Sequence, residues 1–274
     1  MDKKQHYALI TGGTSGIGFE LAKLFARDKY NLVIVGRNLQ HLEETCDALE
    51  ETYSIHVHTI KKDLFDSRNA FELYEEVKDE GIEVDVLVNN AGHGVYGEFM
   101  DTNITQELKI IELNISSLVI LTKLFGRDMV KRRQGKILNV SSIASKSPGP
   151  WQSVYHGTKA FVQSFTEAVR QEIKDKGVTV TALLPGVTDT DFFRKAGMEK
   201  SKIAQDKDQM ADPADVAKDG YEALMKGKDM VVSGFKNKLD LAIDRFKSDE
   251  RLAKETAKEQ EPVDEDEDEE KKKE

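Results

Sequence analysis

The chain has 274 residues, 39% hydrophobic and 33% charged, which is typical of a globular protein with a substantial core. Its formal net charge of −10 is uneven, because residues 255–274 hold eleven Asp or Glu and four Lys, a net of −7, and residues 1–254 carry only −3. This nearly neutral body gives no electrostatic case for nucleic acid, whose phosphates require a basic face, and no apolar run approaches the ~20 residues of a membrane span.

Short β-branched runs alternate along the chain with longer stretches of helical period. The strand-like runs are YALIT (7–11), NLVIVG (31–36), IHVHTI (55–60), VDVLVNN (84–90), GKILNVSS (135–142), VTVTALLP (178–185) and DMVVSG (229–234). The clearest helical stretches between them cover residues 103–132, 152–175 and 213–226. This alternation predicts an α/β fold, with residues 1–234 forming a single doubly wound (Rossmann) domain around a seven-stranded parallel sheet.

Residues after this domain have a different character. Apolar side chains recur at about helical spacing at Phe235, Leu239, Ala242, Ile243 and Phe246. They predict an amphipathic helical extension over residues 235–258 that packs on the domain or on a second subunit. Residues 259–274 are acidic with almost nothing to bury, and therefore predict a disordered acidic tail.

The segment TGGTSGIG (11–18) joins the first strand to the first helix. Gly12 lets the chain turn sharply, and Gly16 and Gly18 let the backbone come close to a ligand. Free N–H groups at a helix start favour a pyrophosphate. The residues that this predicts as contacts are Gly12, Thr14, Ser15, Gly16, Ile17 and Gly18. A tight connection without a ligand is the alternative, and the position at the first strand–helix junction favours the nucleotide site.

The second strand ends in Gly36, Arg37 and Asn38. A unit that binds NAD usually offers an acid near this point to the adenosine ribose. Arg37 can instead bind a 2′-phosphate with two parallel hydrogen bonds, and an ordinary surface arginine is the alternative. Because the acid is absent, the sequence favours NADP(H) as the cofactor, with Arg37 and Asn38 at its adenosine end.

Two segments place a lysine four residues after a tyrosine: YHGTK (155–159) and YEEVK (74–78). Ser142 stands thirteen residues before Tyr155, at the carboxyl end of the fifth strand. Ligands of open α/β sheets bind at such strand ends. Tyr74 lies in a strongly charged stretch that is typical of a solvated helix face. Tyr155 is therefore the catalytic candidate.

Several motifs in order resemble the short-chain dehydrogenase/reductase family, in its single-domain form, over residues 5–234: TGGTSGIG, DLFD, NNAG (89–92), LNISS, NVSS, YHGTK and PGVTDT (185–190). The resemblance implies an oxidoreductase with the catalytic residues Asn114, Ser142, Tyr155 and Lys159. It also implies that the cofactor is bound by Asp63, Leu64, Asn90, Ala91, Gly92, Tyr155, Lys159, Pro185, Gly186, Thr188 and Thr190. A homodimer or homotetramer is expected on the same ground alone.

The chemistry of carbonyl reduction explains the need for this set. The alkoxide that forms must receive a proton, and a phenol with a pKa near ~10 suits this poorly at neutral pH. Lys159 and the positive nicotinamide of the oxidised cofactor are expected to lower the pKa of Tyr155 by about three units, which requires roughly 4 kcal/mol. Ser142 is expected to donate to the carbonyl oxygen. Asn114, by resemblance, anchors a water of the proton relay.

The leading hypothesis is an NADP(H)-dependent oxidoreductase that acts on a small-molecule ketone or aldehyde, or on the corresponding alcohol. Residues 191–210 are expected to form a substrate lid, in which Phe192, Phe193 and Met198 form an apolar wall or pack beneath it. His156 is expected near the substrate entrance. A catalytically silent dinucleotide-binding sensor or scaffold is the alternative, and an epimerase or dehydratase is a third hypothesis.

No metal site is predicted, since His56 and His58 alternate along a strand without an evident third ligand. The single cysteine, Cys46, cannot form an internal disulfide, so nothing requires an oxidising compartment. The cytoplasm is the expected location.

Overall fold

A computed structural model describes residues 5–263 of the chain. Its seven strands are β1 Tyr7–Thr11, β2 Asn31–Gly36, β3 Val57–Lys61, β4 Val84–Asn89, β5 Gly135–Val140, β6 Val178–Leu184 and β7 Met230–Val232. They form one sheet in the order β3-β2-β1-β4-β5-β6-β7, and every neighbouring pair is parallel. The predicted seven-stranded parallel sheet is confirmed.

Helices connect the strands and continue beyond the last one. They are α1 Gly16–Arg27, α2 Leu39–Tyr53, α3 Arg68–Asp79, α4 Ile104–Ile111, α5 Leu118–Arg132, α6 Ser153–Ile173, α7 Phe192–Ala196, α8 Lys202–Gln205, α9 Pro213–Met225, α10 Phe235–Asp244 and α11 Asp249–Gln260. None of the helices within residues 5–263 combines the length and the apolar character that crossing a membrane requires.

The core lies on both faces of the sheet, because neighbouring strand residues point in opposite directions. On β1, Ile10 joins an apolar cluster that includes residues of α1, α2 and α9, whereas Leu9 joins a second cluster with residues of α3 and α5. Both side chains are fully buried. A sheet covered on two sides explains why the strands are nearly continuous apolar runs.

The strand order changes direction at β1. The chain moves outward from β1 to β3 and then returns to place β4 on the other side of β1. The loops that leave β1 and β4 therefore diverge and open a cleft at the carboxyl ends of these strands, where ligands of this architecture bind. The glycine turn at residues 11–18 and the NNAG motif at 89–92 both lie at this cleft.

The region after the sheet differs from the predicted extension and tail. The extension is two helices, and two of its apolar residues lie on the surface: Phe235 at the start of α10 is 82% exposed, and Phe246 just after α10 is 92% exposed. Helix α11 continues to Gln260, which is buried, and Val263 N donates to Lys200 O at 2.8 Å. Contacts with the protein thus order the first residues of the predicted tail (259–274), and residues 264–274 lie outside the described residues.

Candidate active site

A cavity of about 650 Å³, the central cavity, runs along the carboxyl ends of the middle strands. Its walls come from the glycine turn, the ends of β4 to β6, the start of α6, the lid residues and the two last helices. The predicted site residues in its lining are Gly12, Thr14, Ser15, Gly16, Ile17, Arg37, Leu64, Asn90, Ala91, Gly92, Ser142, Tyr155, Lys159, Pro185, Gly186, Thr188 and Thr190. The fold therefore brings most of the predicted residues to one cavity.

Four predicted residues lie outside this lining. Asn38 begins α2, where its side chain accepts a hydrogen bond from His41 N at 3.3 Å. Asp63 is exposed and accepts from Phe65 N at 3.2 Å, within the turn after β3. Gly18 and Asn114 do not line the cavity but contact residues that do, Gly18 packing against Asn90 and Asn114 bonding to His93. In this structure Asn38 and Asp63 stabilise local backbone beside the cavity.

The end of β4 holds the glycine turn in place. Asn90 Nδ2 donates to Thr11 O at 2.9 Å and to Gly12 O at 3.1 Å. The Thr11 hydroxyl, which the sequence motifs did not single out, accepts from the main-chain N–H groups of Asn90 and Ala91. Gly12 and Gly16 have φ of +64° and +54°, a left-handed conformation that favours glycine. The turn thus directs the unpaired N–H groups at the start of α1 into the cavity.

Gly18 is required by the packing between this turn and Asn90. A Cβ at residue 18 would lie 2.3 Å from Gly12 O and 2.4 Å from Asn90 Nδ2. We expect Gly18→Ala to displace the turn, to lower the free energy of unfolding by about 1–3 kcal/mol, and to weaken NADPH binding about tenfold or more. Thermal unfolding and a fluorescence titration with NADPH measure the two effects.

Gly157 in α6 is the matched control for this substitution, since a Cβ there meets no atom within 4 Å. Gly157→Ala should raise stability by up to about 1 kcal/mol, because alanine favours a helix interior. Equal stability and equal NADPH affinity of the two variants would contradict the role assigned to Gly18.

The catalytic candidates converge at the junction of β5 and α6. Ser142 lies close enough to the Tyr155 hydroxyl to act on its pKa, and its own Oγ donates to Pro185 O at 3.5 Å. Lys159 Nζ lies 5.8 Å from the centroid of the Tyr155 ring and donates to Val140 O at 2.9 Å. Ser142 Oγ accepts from Ala144 N at 3.1 Å, which fixes the hydroxyl at the strand end. A phenol, a hydroxyl and an ammonium therefore meet where a carbonyl oxygen can accept hydrogen bonds.

Burial changes the acidity of both titratable groups. It raises the pKa of Tyr155 to about 12, although the hydrogen bond with Ser142 acts in the opposite direction. It also lowers the pKa of Lys159 to about 8. The expected lowering of the pKa of Tyr155 depends on the oxidised cofactor together with Lys159 and stays a prediction, whereas without cofactor the desolvation of the phenolate keeps this pKa high.

Asn114 lies in a π-helix, Glu112–Ser117, between α4 and α5. Its buried side chain accepts from His93 N at 3.0 Å and donates to His93 O at 2.9 Å and to Thr158 Oγ1 at 3.0 Å. A Cβ at Gly92 would lie 3.3 Å from Lys159 Nζ and 3.6 Å from Asn114 Oδ1. Asn114 thus links the loop after β4 to helix α6 through hydrogen bonds. The absence of a side chain at Gly92 leaves space beside the Lys159 ammonium.

Arg37 marks the other end of the cavity. Its guanidinium carbon lies 4.7 Å from the centroid of the Phe65 ring, and no carboxylate among residues 5–263 pairs with it. Phe65 in turn contacts the His93 ring edge-to-face at 5.4 Å between centroids. Burial, and then the charges of Arg37 and Lys195, lower the pKa of His93. The guanidinium is therefore available to a phosphate.

The lid residues form an apolar wall next to the catalytic tyrosine. Phe192, Phe193 and Met198 all line the cavity. The rings of Phe192 and Tyr155 are 5.1 Å apart between centroids. The sequence prediction did not include Gln152 or the residues of α10 and α11 among the cavity residues, although they line it too.

The second tyrosine–lysine pair lies elsewhere. Tyr74 and Lys78 each donate to Asp128 Oδ2 at 3.0 Å. Neither residue lines the central cavity. This pair links α3 to α5 at the surface. The two tyrosine–lysine pairs therefore differ in their surroundings, because only Tyr155 and Lys159 line the cavity.

Comparisons with known proteins agree with this geometry. The short chain dehydrogenase family matches residues 6–201. Over 235 residues the chain is 33% identical to dehydrogenase/reductase SDR family member 7B of Mus musculus, covering 83% of this chain and 73% of the relative. It is 33% identical over 205 residues to very-long-chain 3-oxoacyl-CoA reductase of Rattus norvegicus, covering 71% and 64%. It is 32% identical over 205 residues to 17-beta-hydroxysteroid dehydrogenase type 3 of Mus musculus, covering 73% and 66%.

Solved structures are similar over most of the chain. A short-chain dehydrogenase from Sphingobium yanoikuyae in complex with NADPH has a TM-score of 0.79 and 25% identity, covering 88% of this chain and 92% of that one. A 7beta-hydroxysteroid dehydrogenase with a TM-score of 0.83 covers 92% and 96%, and at 23% identity it shows the fold alone. From the family match, the relatives and the cavity together, the chain belongs to the short-chain dehydrogenase family of oxidoreductases.

Proposed function

We propose that the protein is an NADP(H)-dependent carbonyl reductase that acts on a ketone or aldehyde, or in reverse on a secondary alcohol, with Tyr155 as general acid and base. The observation that carries this proposal is that Tyr155, Ser142 and buried Lys159 meet in a cavity that continues to the glycine turn. No observation favours the catalytically silent sensor. A homo-oligomer remains a prediction.

The residues present fit a phosphorylated dinucleotide. The left-handed glycines at 12 and 16 leave room for a pyrophosphate, and the exposed Arg37 suits a 2′-phosphate. Lys159 would hold the nicotinamide ribose, and residues 185–190 would lie at the nicotinamide. When bound, the cofactor supplies or accepts the hydride of the reaction. One neighbour solved in complex with NADPH supports this choice.

The remaining chemistry belongs to side chains of the protein. Because its pKa is about 12, Tyr155 keeps its proton at neutral pH and can give it to the oxygen of the reduced carbonyl. Ser142 donates to the same oxygen while negative charge develops there. Lys159, positively charged below its pKa of about 8, stabilises the phenolate that Tyr155 leaves behind.

NADPH oxidation by a panel of short, long-chain and polycyclic ketones tests the proposal, with NADH measured alongside. We expect turnover with NADPH on at least one ketone class. Arg37→Glu should raise the KM for NADPH roughly thirtyfold, because a charge-assisted contact worth about 2 kcal/mol is replaced by repulsion, and should not raise the KM for NADH.

Arg68→Glu is the control, since Arg68 is exposed, pairs with Asp66 and does not line the cavity. It should leave both KM values unchanged. If no ketone is reduced while NADPH still binds, the reductase function is wrong. If Arg37→Glu leaves the preference between the two cofactors unchanged, the cofactor assignment is wrong.

A further inference from the structure

The end of the central cavity that α10 and α11 form, called the lid end here, is rich in carboxylates. The charged residues in this part of the lining are Asp240, Asp244, Lys247, Glu255 and Glu259. Lys247 pairs with Asp244 at 2.9 Å and with Glu255, and Arg251 binds Glu255 from outside the lining. Asp240 and Glu259 form no salt bridge within residues 5–263. The lid end is therefore negative, whereas Arg37 and Lys62 line the opposite end.

Glu259 shows how crowded these carboxylates are. It keeps contact with solvent at the edge of the cavity, yet its pKa is raised by the surrounding protein and then by Asp244, Glu255 and Asp240. Lys247 acts in the opposite direction and is the smallest of these influences. A further anion at the lid end would meet the same repulsion.

Gln260, the last residue of α11, provides an independent observation. Its residue surface is only 5% exposed, it lines the cavity, and its main-chain oxygen accepts from the Tyr96 hydroxyl. Its side chain meets His156, with Gln260 Nε2 and His156 Nε2 3.0 Å apart. The side-chain amide is thus held between the catalytic helix and the lid end.

The tautomer of His156 fixes the orientation of this amide. His156 Nδ1 lies 2.8 Å from Ser147 O, and a carbonyl only accepts, so Nδ1 carries the proton. Burial lowers the pKa of His156, so Nε2 is an unprotonated acceptor at neutral pH. Gln260 must then donate through Nε2. Its Oε1 is left as a buried acceptor that has no partner among residues 5–263.

A second buried amide lies near the first. Gln152 is 4% exposed, lines the same cavity, and its Nε2 has no partner within the described part of the chain. His156 N donates to Gln152 O at 3.0 Å, so both glutamines adjoin His156. An unpaired buried donor or acceptor is unfavourable, and a ligand hydroxyl can accept from one amide and donate to the other.

Apolar side chains form much of the remaining wall of the cavity. Phe192, Met198, Ile203, Leu241 and Leu252 all line the cavity, and the Phe192 ring contacts Tyr155. Such a wall suits a hydrophobic substrate body, and a few polar groups then determine its orientation. The amide acceptor and the surrounding carboxylates all select for hydrogen-bond donors.

We propose, building on the reductase function above, that the substrate is an uncharged and largely apolar ketone with a hydroxyl group away from the reacting carbonyl, which donates to Gln260 Oε1. The negative lid end rejects a substrate with an anionic group in this position, such as an acyl thioester of coenzyme A. Gln260 and Glu259 are specificity-determining residues in this arrangement.

Three ketones with one ring skeleton test this inference: 3-hydroxyandrostan-17-one, androstan-17-one and the 3-sulfate of the first. Calorimetry on the protein saturated with NADP⁺, which has no hydride to give to the carbonyl, should show the hydroxy ketone binding about tenfold tighter than either of the others. Gln260→Leu should abolish the preference for the hydroxyl. Glu259→Gln, which leaves Gln260 in place, should strengthen binding of the sulfate severalfold.

Glu250→Gln is the matched control, because Glu250 lies on the outer side of α11, where it pairs with Lys254. It should leave the binding order unchanged, and thermal unfolding of each variant verifies that α11 remains folded. Equal binding of sulfate and alcohol, an unchanged hydroxyl preference in Gln260→Leu, or no binding of all three ketones overturns the inference. Since binding is measured and not turnover, failure of the reductase function gives a different result: ordered binding without NADPH oxidation.

Discussion

Replacing Tyr155 with Phe should lower the turnover number for ketone reduction by about 10²–10⁴-fold. The substitution removes only the hydroxyl, which lies beside Ser142. The ring contacts remain, with Phe192 at 5.1 Å between centroids and Lys159 Nζ at 5.8 Å from the ring centroid. NADPH affinity should therefore change little, and steady-state kinetics beside an NADPH titration separate the two effects.

Tyr74→Phe is the matched control for this variant. Tyr74 has a lysine at the same spacing, but its hydroxyl donates to Asp128 and the residue lies outside the cavity. It should leave turnover unchanged and lower stability by about 1 kcal/mol through the lost hydrogen bond. Near-normal turnover of Tyr155→Phe with NADPH and an active ketone would show that another group supplies the proton.

The sequence predicted the sheet well because its strands carry strong local signals. The run NLVIVG was expected to form a strand over 31–36, and β2 spans Asn31–Gly36. Helix α9 begins at Pro213, after Asp212 caps it by accepting from Ala214 N at 2.7 Å. The third strand starts two residues later than expected, since His56 N donates to the side chain of Asn31 before the strand pairing begins.

Features that depend on distant contacts were harder to predict. The stretch 103–132 has a continuous helical period, which hides the π-helix Glu112–Ser117. This irregular turn places Asn114 against His93 and Thr158, and no local pattern encodes those partners. A π-helix of this kind often occurs at a functional site.

The last helices show the same limit more strongly. Apolar spacing predicted an extension that packs on the domain or on a second subunit; within the single chain Phe235 and Phe246 are exposed, whereas the polar Gln260 is buried. The hydrogen bond from Gln260 to His156 joins residues 104 positions apart. Burial likewise determines the pKa of Tyr155 in the protein without cofactor, and the sequence does not show how much water surrounds a side chain.

Lys159→Met should lower turnover at least about 100-fold and, without cofactor, make the protein more stable. Lys159 is only 5% exposed, and burial lowers its pKa to about 8. Relative to an unfolded pKa of about 10.4, keeping this ammonium charged in the fold costs about 3 kcal/mol at pH 7. Methionine has a similar length and no charge. Loss of the hydrogen bond to Val140 O offsets about 1 kcal/mol of the gain.

The pH dependence separates this effect from simple repacking. At pH values between the folded pKa of Lys159, about 8, and its unfolded pKa, the lysine is protonated only in the unfolded wild-type protein. This group therefore raises the unfolding free energy of the wild type by about 1.4 kcal/mol per pH unit in that interval. The advantage of Lys159→Met should thus be largest below pH ~8 and shrink by about 2 kcal/mol by pH ~9.5 in urea unfolding. Lys254→Met, which changes an exposed lysine paired with Glu250, should show no such trend. A Lys159→Met protein that is less stable than wild type at neutral pH would mean that the ammonium is better solvated than its burial indicates. The charged lysine that catalysis requires would then not lower the free energy of unfolding.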